Sequence, residues 1–287
     1  MENYKTAVES FKILRSLYQL RDVLPAPLND AMYYITYLSY TGLSAYTILT
    51  YISGLSYTHK LHSLEDNAKS FLVGKLLEGL RRNKPQKSDI RLPISISLLK
   101  RLIQSLPFVC FSAYESMSFA SAFSLSFFFA ILRIGEIASD NKSRSGDHVM
   151  LISDISFHKN NGDEELYVTI RSSKTNQRSL SSNMIICKQG DESVCLVRLL
   201  KKYLQIRTSS TSCLYAHVDG TGLTRYQFSS VLQKTLSFCE IRDHFRSHSF
   251  KIGGVTEATR LGVDDETIKI WGHWTSDAYL RYLRLDM

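Results

Sequence analysis

Over the first 83 residues apolar side chains recur at spacings of three and four: Ile35 and Leu38, then Ile48, Tyr51, Ile52 and Leu55, then Leu72, Leu76, Leu77 and Leu80. That is the periodicity of amphipathic helices packed against one another. Capping residues divide it. Asn29 or Asp30 is expected to start a helix running to Gly42, Ser44 a second through about Leu55, and Ser63 with Asp66 a third through Arg82. The pattern predicts a small helical bundle over residues 1–83.

The periodicity then breaks. Arg81-Arg-Asn-Lys-Pro-Gln-Lys-Ser-Asp-Ile-Arg-Leu-Pro93 carries Pro85, Pro93 and five basic side chains, which predicts an extended, solvated linker over 84–93. Such a linker either serves solubility alone or lies along a phosphate backbone. Helices resume from Ser95, with a long one expected over 113–137. After that the period changes to two: 149–157, 165–171 and 183–187 alternate or carry β-branched residues, with Asn-Asn-Gly-Asp between the first two, and predict three short antiparallel strands. Helical pattern returns over 191–205, 224–239, 247–261, 264–271 and from Ser276 onward, with Ser247 as the expected N-cap of its helix. The fold class is therefore mainly α with a small antiparallel β-sheet (α+β), in two domains, 1–83 and 94–287.

Composition narrows the function. A chain of 287 residues is comfortable for two domains, and 35 Lys plus Arg against 27 Asp plus Glu leave a net charge of +8, which favours a polyanionic partner. Five scattered cysteines without a C-x-x-C pair indicate neither a disulfide framework nor a zinc site, and suit a reducing compartment. No apolar run reaches the ~18 residues of a membrane span; the densest, Phe123 to Leu132, is interrupted by Ser124 and Ser126. Met-Glu-Asn-Tyr-Lys at the start does not open a signal peptide.

The candidate chemistry is an ordered set. Arg133 lies in Ala130-Ile-Leu-Arg-Ile-Gly-Glu-Ile-Ala138, Lys174 in the turn Ser172-Ser-Lys-Thr-Asn-Gln177, and His248-x-x-Lys251 opens a helix; Gly272-His273 follows, with Tyr282 nine residues beyond His273. That order resembles the catalytic domain of the tyrosine recombinases, the phage-integrase-like family. In wording, the tail from His248-Ser-Phe-Lys-Ile-Gly-Gly to Trp274-Thr-Ser-Asp-Ala-Tyr-Leu-Arg-Tyr-Leu-Arg284 is similar to recombinases of eukaryotic Crypton- and DIRS-type mobile elements and their domesticated relatives. The resemblance covers nearly the whole chain. It implies that 1–83 is a helical core-binding (SAM-like) DNA-binding domain and 94–287 the tyrosine recombinase catalytic domain.

What the resemblance implies chemically is strand breakage without metal or nucleotide cofactor. The Tyr282 hydroxyl attacks the scissile phosphate, the 5′ oxygen leaves, and a 3′-phosphotyrosyl bond conserves the energy for rejoining. Charge grows on the non-bridging oxygens, so fixed cationic donors are the main device. Arg133 is the planar clamp, Lys174 the general acid toward the leaving oxygen, His248 either positions a proton or hydrogen-bonds the phosphate, and His273 donates to a non-bridging oxygen. Gly272 is expected to let the backbone turn close to the substrate. Tyr279 lies one turn before Tyr282, and the spacing from His273 selects the latter. Arg242, Arg246, Arg281 and Arg284, and in the bundle Lys60, Lys69, Lys75, Arg81 and Arg82, are either backbone contacts or solvated charges. Trp271 and Trp274 are expected to pack the terminal helices.

Where this chain has Lys251 the family has its second arginine. A lysine keeps the charge and loses the bidentate fork, and loss of such a donor costs on the order of 100- to 1000-fold in rate. Arg246 is no replacement: five residues apart on a helix is about 140° of rotation from Lys251. Three functions follow: a site-specific recombinase or integrase; a DNA-binding module of the same fold with weak or no catalysis; and an unrelated helical interaction scaffold. Double-stranded DNA is the expected partner, with self-association on DNA and steep salt dependence. Only five residues follow Tyr282, so either assembly uses surfaces other than a C-terminal helix or the chain is truncated. The wording of the motifs implies a nuclear protein, or, outside a eukaryote, a cytoplasmic one at DNA.

Overall fold

The computed structural model describes residues 2–83, 89–128, 134–140, 149–160, 162–171, 182–208, 211–272, 274 and 276–284. The chain divides into two compact units, Met1–Asp89 and Ile90–Met287.

In the first unit four helices, α1 (Glu2–Leu17), α2 (Leu28–Tyr40), α3 (Ala45–Leu61) and α4 (Phe71–Asn83), close on Phe11, Leu14, Tyr34, Ile35, Ile48, Ile52, Val73 and Leu77. Ser44 caps α3 as expected, accepting from the Thr47 amide at 3.1 Å. Two expected starts differ. α2 begins after Pro27 with no side-chain cap, because the Asp30 carboxylate is drawn inward to the buried Arg15 guanidinium at 3.2 Å. α3 runs on to Leu61, and Ser63, at φ +53°, belongs to the turn that ends it rather than starting the next helix. Asp66 is held by the Ser56 hydroxyl at 2.6 Å, and the buried His59 accepts the Ala26 amide at 2.9 Å on Nε2.

The second unit is built around α6 (Ala113–Phe128), whose residues 118–127 are all buried; α5 (Ile96–Val109) precedes it, capped by Ser95. A helix apolar on every side belongs inside a core. Its serines are satisfied there: Ser124 donates to the Val194 carbonyl at 2.6 Å and Ser121 pairs with the Tyr215 hydroxyl at 2.9 Å. No helix among the described residues is long and apolar enough to cross a membrane. The helix expected over 113–137 is described as α6 and a single turn, α7 (Ile134–Ile137); residues 129–133 lie outside the description.

The sheet has antiparallel order β1 (Ile155–Asn160), β2 (Asp163–Ile170) and β3 (Ser182–Cys187). Register Asn160↔Asp163 leaves a two-residue connection containing Gly162 at φ +92°, a conformation glycine adopts without strain. Residues 149–154 are not strand, contrary to the alternating pattern. Leu151 makes an isolated bridge to Cys213, and a 3₁₀ turn over Ile152–Asp154 is closed by Asp154, which accepts the Leu151 amide at 2.8 Å.

The remaining helices are α8 (Leu196–Ile206), α9 (Arg225–Phe238), α10 (His248–Arg260) and α11 (Asp265–Gly272), followed by a 3₁₀ turn over Asp277–Tyr282. The last is a correction: the segment expected as a helix from Ser276 leaves the 3₁₀ turn at an extended Leu283. The expected linker 84–93 also ends earlier than its prolines suggest. Leu92 and Ile94 amides donate to the His244 and Ser249 carbonyls, and Ile94 is fully buried.

Candidate active site

α10 carries the first two described site residues, His248 and Lys251, on its opening turn. Ser247 does not cap it: its backbone is helical and its side chain makes no capping bond. Ser249, inside the first turn, accepts the amide of Arg246 ahead of the helix at 3.0 Å, which ties down the chain entering it. The strand-like passage 92–94 crosses this turn so closely that a Cβ on Gly253 would lie 1.9 Å from the Ile94 carbonyl oxygen. α10 is thereby seated on backbone.

Tyr282 comes to α10 from the C-terminal side. Its carbonyl accepts the Thr256 hydroxyl at 3.4 Å, and the Thr256 oxygen in turn accepts the Arg284 amide at 3.3 Å. The Tyr282 ring stacks near His248, centroids 6.0 Å apart at 30°, and the Lys251 ammonium lies 5.4 Å from its centroid. Lys251 is 6% exposed and sits 4.3 Å over the Trp274 ring. Tyr279 differs from its neighbour one turn on: it is 2% exposed, and burial with the nearby Asp265 carboxylate raises its phenol above the ordinary range. Tyr282, by contrast, is partly exposed beside a cation and a histidine.

His248, Lys251 and Tyr282 are thus brought together. Arg133, Lys174 and His273 lie outside the described residues. The frame before Lys174 is described: Arg171, the last residue before 172–181, forks onto Asp154 at 2.6 and 2.7 Å, and this bond raises the guanidinium pKa. That clamp was missed from sequence because its partners are 17 residues apart in a pattern read as strand. The segment after Arg133 is likewise stitched in place: Ser139 and residues 223–225 exchange backbone bonds, and Arg225 pairs with Asp140 at 3.1 Å.

Gly272 has a role other than the one expected. A Cβ there would lie 1.7 Å from Trp274 Cε3, so the missing side chain makes room for the indole. Trp274 does pack the terminal segment, against Tyr279 and Tyr282. Trp271 and Trp274 both border an apolar cavity of about 430 Å³ with Met184, Val255 and Leu261.

The flanking cations are mostly at the surface. Lys60, Lys69, Arg81, Arg242 and Arg281 are exposed; Lys75 and Arg82 both pair with Glu78. Arg246 turns back to Gln233 and the Phe245 carbonyl, away from any substitution for Lys251, and Arg284 folds onto the Arg281 and Leu283 carbonyls. No metal-binding cluster occurs among the described residues.

The arrangement of a helical unit followed by a helical unit with a three-stranded sheet is the fold of site-specific recombinases and integrases. XerH site-specific recombinase, in a post-cleavage complex with palindromic difH substrate, matches with a TM-score of 0.69 at 15% identity, over 98% of this chain and 75% of that one. A lambda integrase dimer bound to a COC′ core site matches at 0.62 and 13%, over 99% and 71%. Tn1549 transposon integrase with a circular intermediate DNA matches at 0.60 and 12%, over 98% and 89%. No protein-family model and no curated protein matches the sequence. The shared property at these identities is the fold.

Proposed function

We propose that the chain is a site-specific DNA recombinase or integrase that breaks and rejoins strands through a 3′-phosphotyrosyl bond on Tyr282. The observation that carries this reading is the meeting of Tyr282 with His248 and Lys251 at the opening turn of α10, in a fold shared with DNA-bound recombinases. The Tyr282 oxygen attacks phosphorus as its proton passes to the adjacent His248 or to water, and the bond to the 5′ oxygen breaks. Lys174 supplies the proton to that oxygen, and Arg133, Lys251, His248 and His273 hold the non-bridging oxygens as charge accumulates. Residues 1–83 and the basic linker 84–93 add backbone contacts through Lys60, Lys75, Arg81 and Arg82, and 94–287 holds the chemistry together with Arg242, Arg246 and Arg284. The reading extends to double-stranded DNA as substrate, self-association on it, descent from a mobile element of the Crypton or DIRS kind, and a nuclear location.

The second reading is a DNA-binding module of the same fold with weak or absent catalysis, and Lys251 favours it, since a point charge fixes no plane at the transition state. A pool of nicked duplexes of randomised sequence separates the two. The enzyme leaves a denaturant-resistant protein–DNA adduct that disappears in Tyr282→Phe. Tight duplex binding with no adduct from the wild type identifies the module.

A further inference from the structure

Trp274 has no role in the motif order, yet it touches two residues that do. The Lys251 ammonium lies 4.3 Å from its ring centroid, and the Tyr282 ring packs at 5.6 Å and 38°. The buried Tyr279 ring supports it at 6.1 Å. Its amide donates to the Lys269 carbonyl at 3.0 Å, and Gly272 opens the space the indole fills.

We propose that Trp274 is the positioning residue of this site: its indole face orients the Lys251 ammonium and fixes the attitude of the Tyr282 ring. The inference rests on the strand-cutting reading above and acts through those two side chains. A guanidinium is directed by its own planar fork, whereas an ammonium is a point charge with rotatable donors on a four-carbon stem. A lysine in this place is therefore directed by what its head rests against. An indole is the strongest aromatic seat for a cation, and the attraction grows when water is excluded, as it is around a side chain 6% exposed. The neighbouring ring thus aims the Lys251 ammonium, though it supplies no second donor of the kind an arginine fork would add.

The test uses the full chain and duplex recovered from the nicked random-sequence pool. At saturating duplex Trp274→Leu should slow adduct formation about tenfold with duplex affinity unchanged, and Trp274→Phe, which keeps an aromatic face, should recover most of the rate. Wild-type rate in Trp274→Leu, or equal loss in the two variants, overturns the proposal. Proton NMR of the wild type gives a readout free of cleavage and of variant folding: the Lys251 ε-methylene should be moved upfield by the indole ring current. An unshifted resonance overturns the proposal. A shifted resonance in a wild-type chain that never forms an adduct upholds the seat and sinks the strand-cutting reading instead.

Discussion

Lys251 stands 6% exposed beside the Trp274 and Tyr282 rings, so its charge is held where it is least screened. Lys251→Arg restores a bidentate donor and should raise the rate of adduct formation by at least about tenfold, measured in single-turnover reactions on the nicked duplex; no gain contradicts the account of this residue. A second residue makes a pH prediction. Burial lowers the His59 pKa below its ordinary value, against Asp66, which raises it. The unfolded chain therefore binds a proton that the folded unit refuses. The stabilisation from the neutral ring is complete above the unfolded pKa of about 6.5 and is lost as pH falls through the lowered folded value. Arg15 opposes protonation of the same ring, while Asp30 and Asp22 balance Arg15. Chemical denaturation of the chain between pH 7.5 and 5 should show the first unit weakening in the wild type and a flatter profile in His59→Gln. At this scale the meeting of His248 and Tyr282 was legible, because an ordered set of residue types survives in one dimension. Trp274 was legible as packing for the terminal segment but not as a neighbour of Lys251, which lies 23 residues away.

α10 depends on a neighbour that is backbone. A methyl at residue 253 has no flexible side chain to push aside, so Gly253→Ala should destabilise the second unit by about 1–3 kcal/mol, read as a lowered denaturation midpoint; an unchanged midpoint would mean that residues 92–94 are not seated on this helix. Elements with strong periods were legible: α5 and α9 start where Ser95 and Thr224 put them, whereas α3 starts at Ser44 but runs on to Leu61 and β1 keeps only residues 155–157 of the strand expected over 149–157. Three features escaped for identifiable reasons. Alternation over 149–154 mimics a strand, but Asp154 closes a turn on the Leu151 amide. Ser247 has the right chemistry for a cap, yet its backbone is already helical and its side chain makes no capping bond. The Tyr282 segment has helical composition, but its bonds to Thr256 tie it into a 3₁₀ turn with an extended exit.

Over the whole molecule the net charge is +8, and the proposal requires exposed cations of both units to contact phosphates. If about six phosphates are neutralised, duplex affinity should fall by roughly 1000-fold between 50 and 200 mM salt, a slope that fluorescence anisotropy measures; salt-insensitive binding would remove DNA as the partner. Fold class was legible because a switch of period from 3.6 to 2 and back marks a small sheet inside a helical unit, and the match to DNA-bound recombinases agrees with it. The central claim is that Tyr282, and not the buried Tyr279, is the atom source of the covalent bond. Peptide mass spectrometry of the adduct trapped on nicked duplex tests it most directly. The account predicts a nucleotide-bearing phosphate on Tyr282 alone; the same mass on Tyr279, or no modified peptide from a chain that binds the duplex, would contradict it.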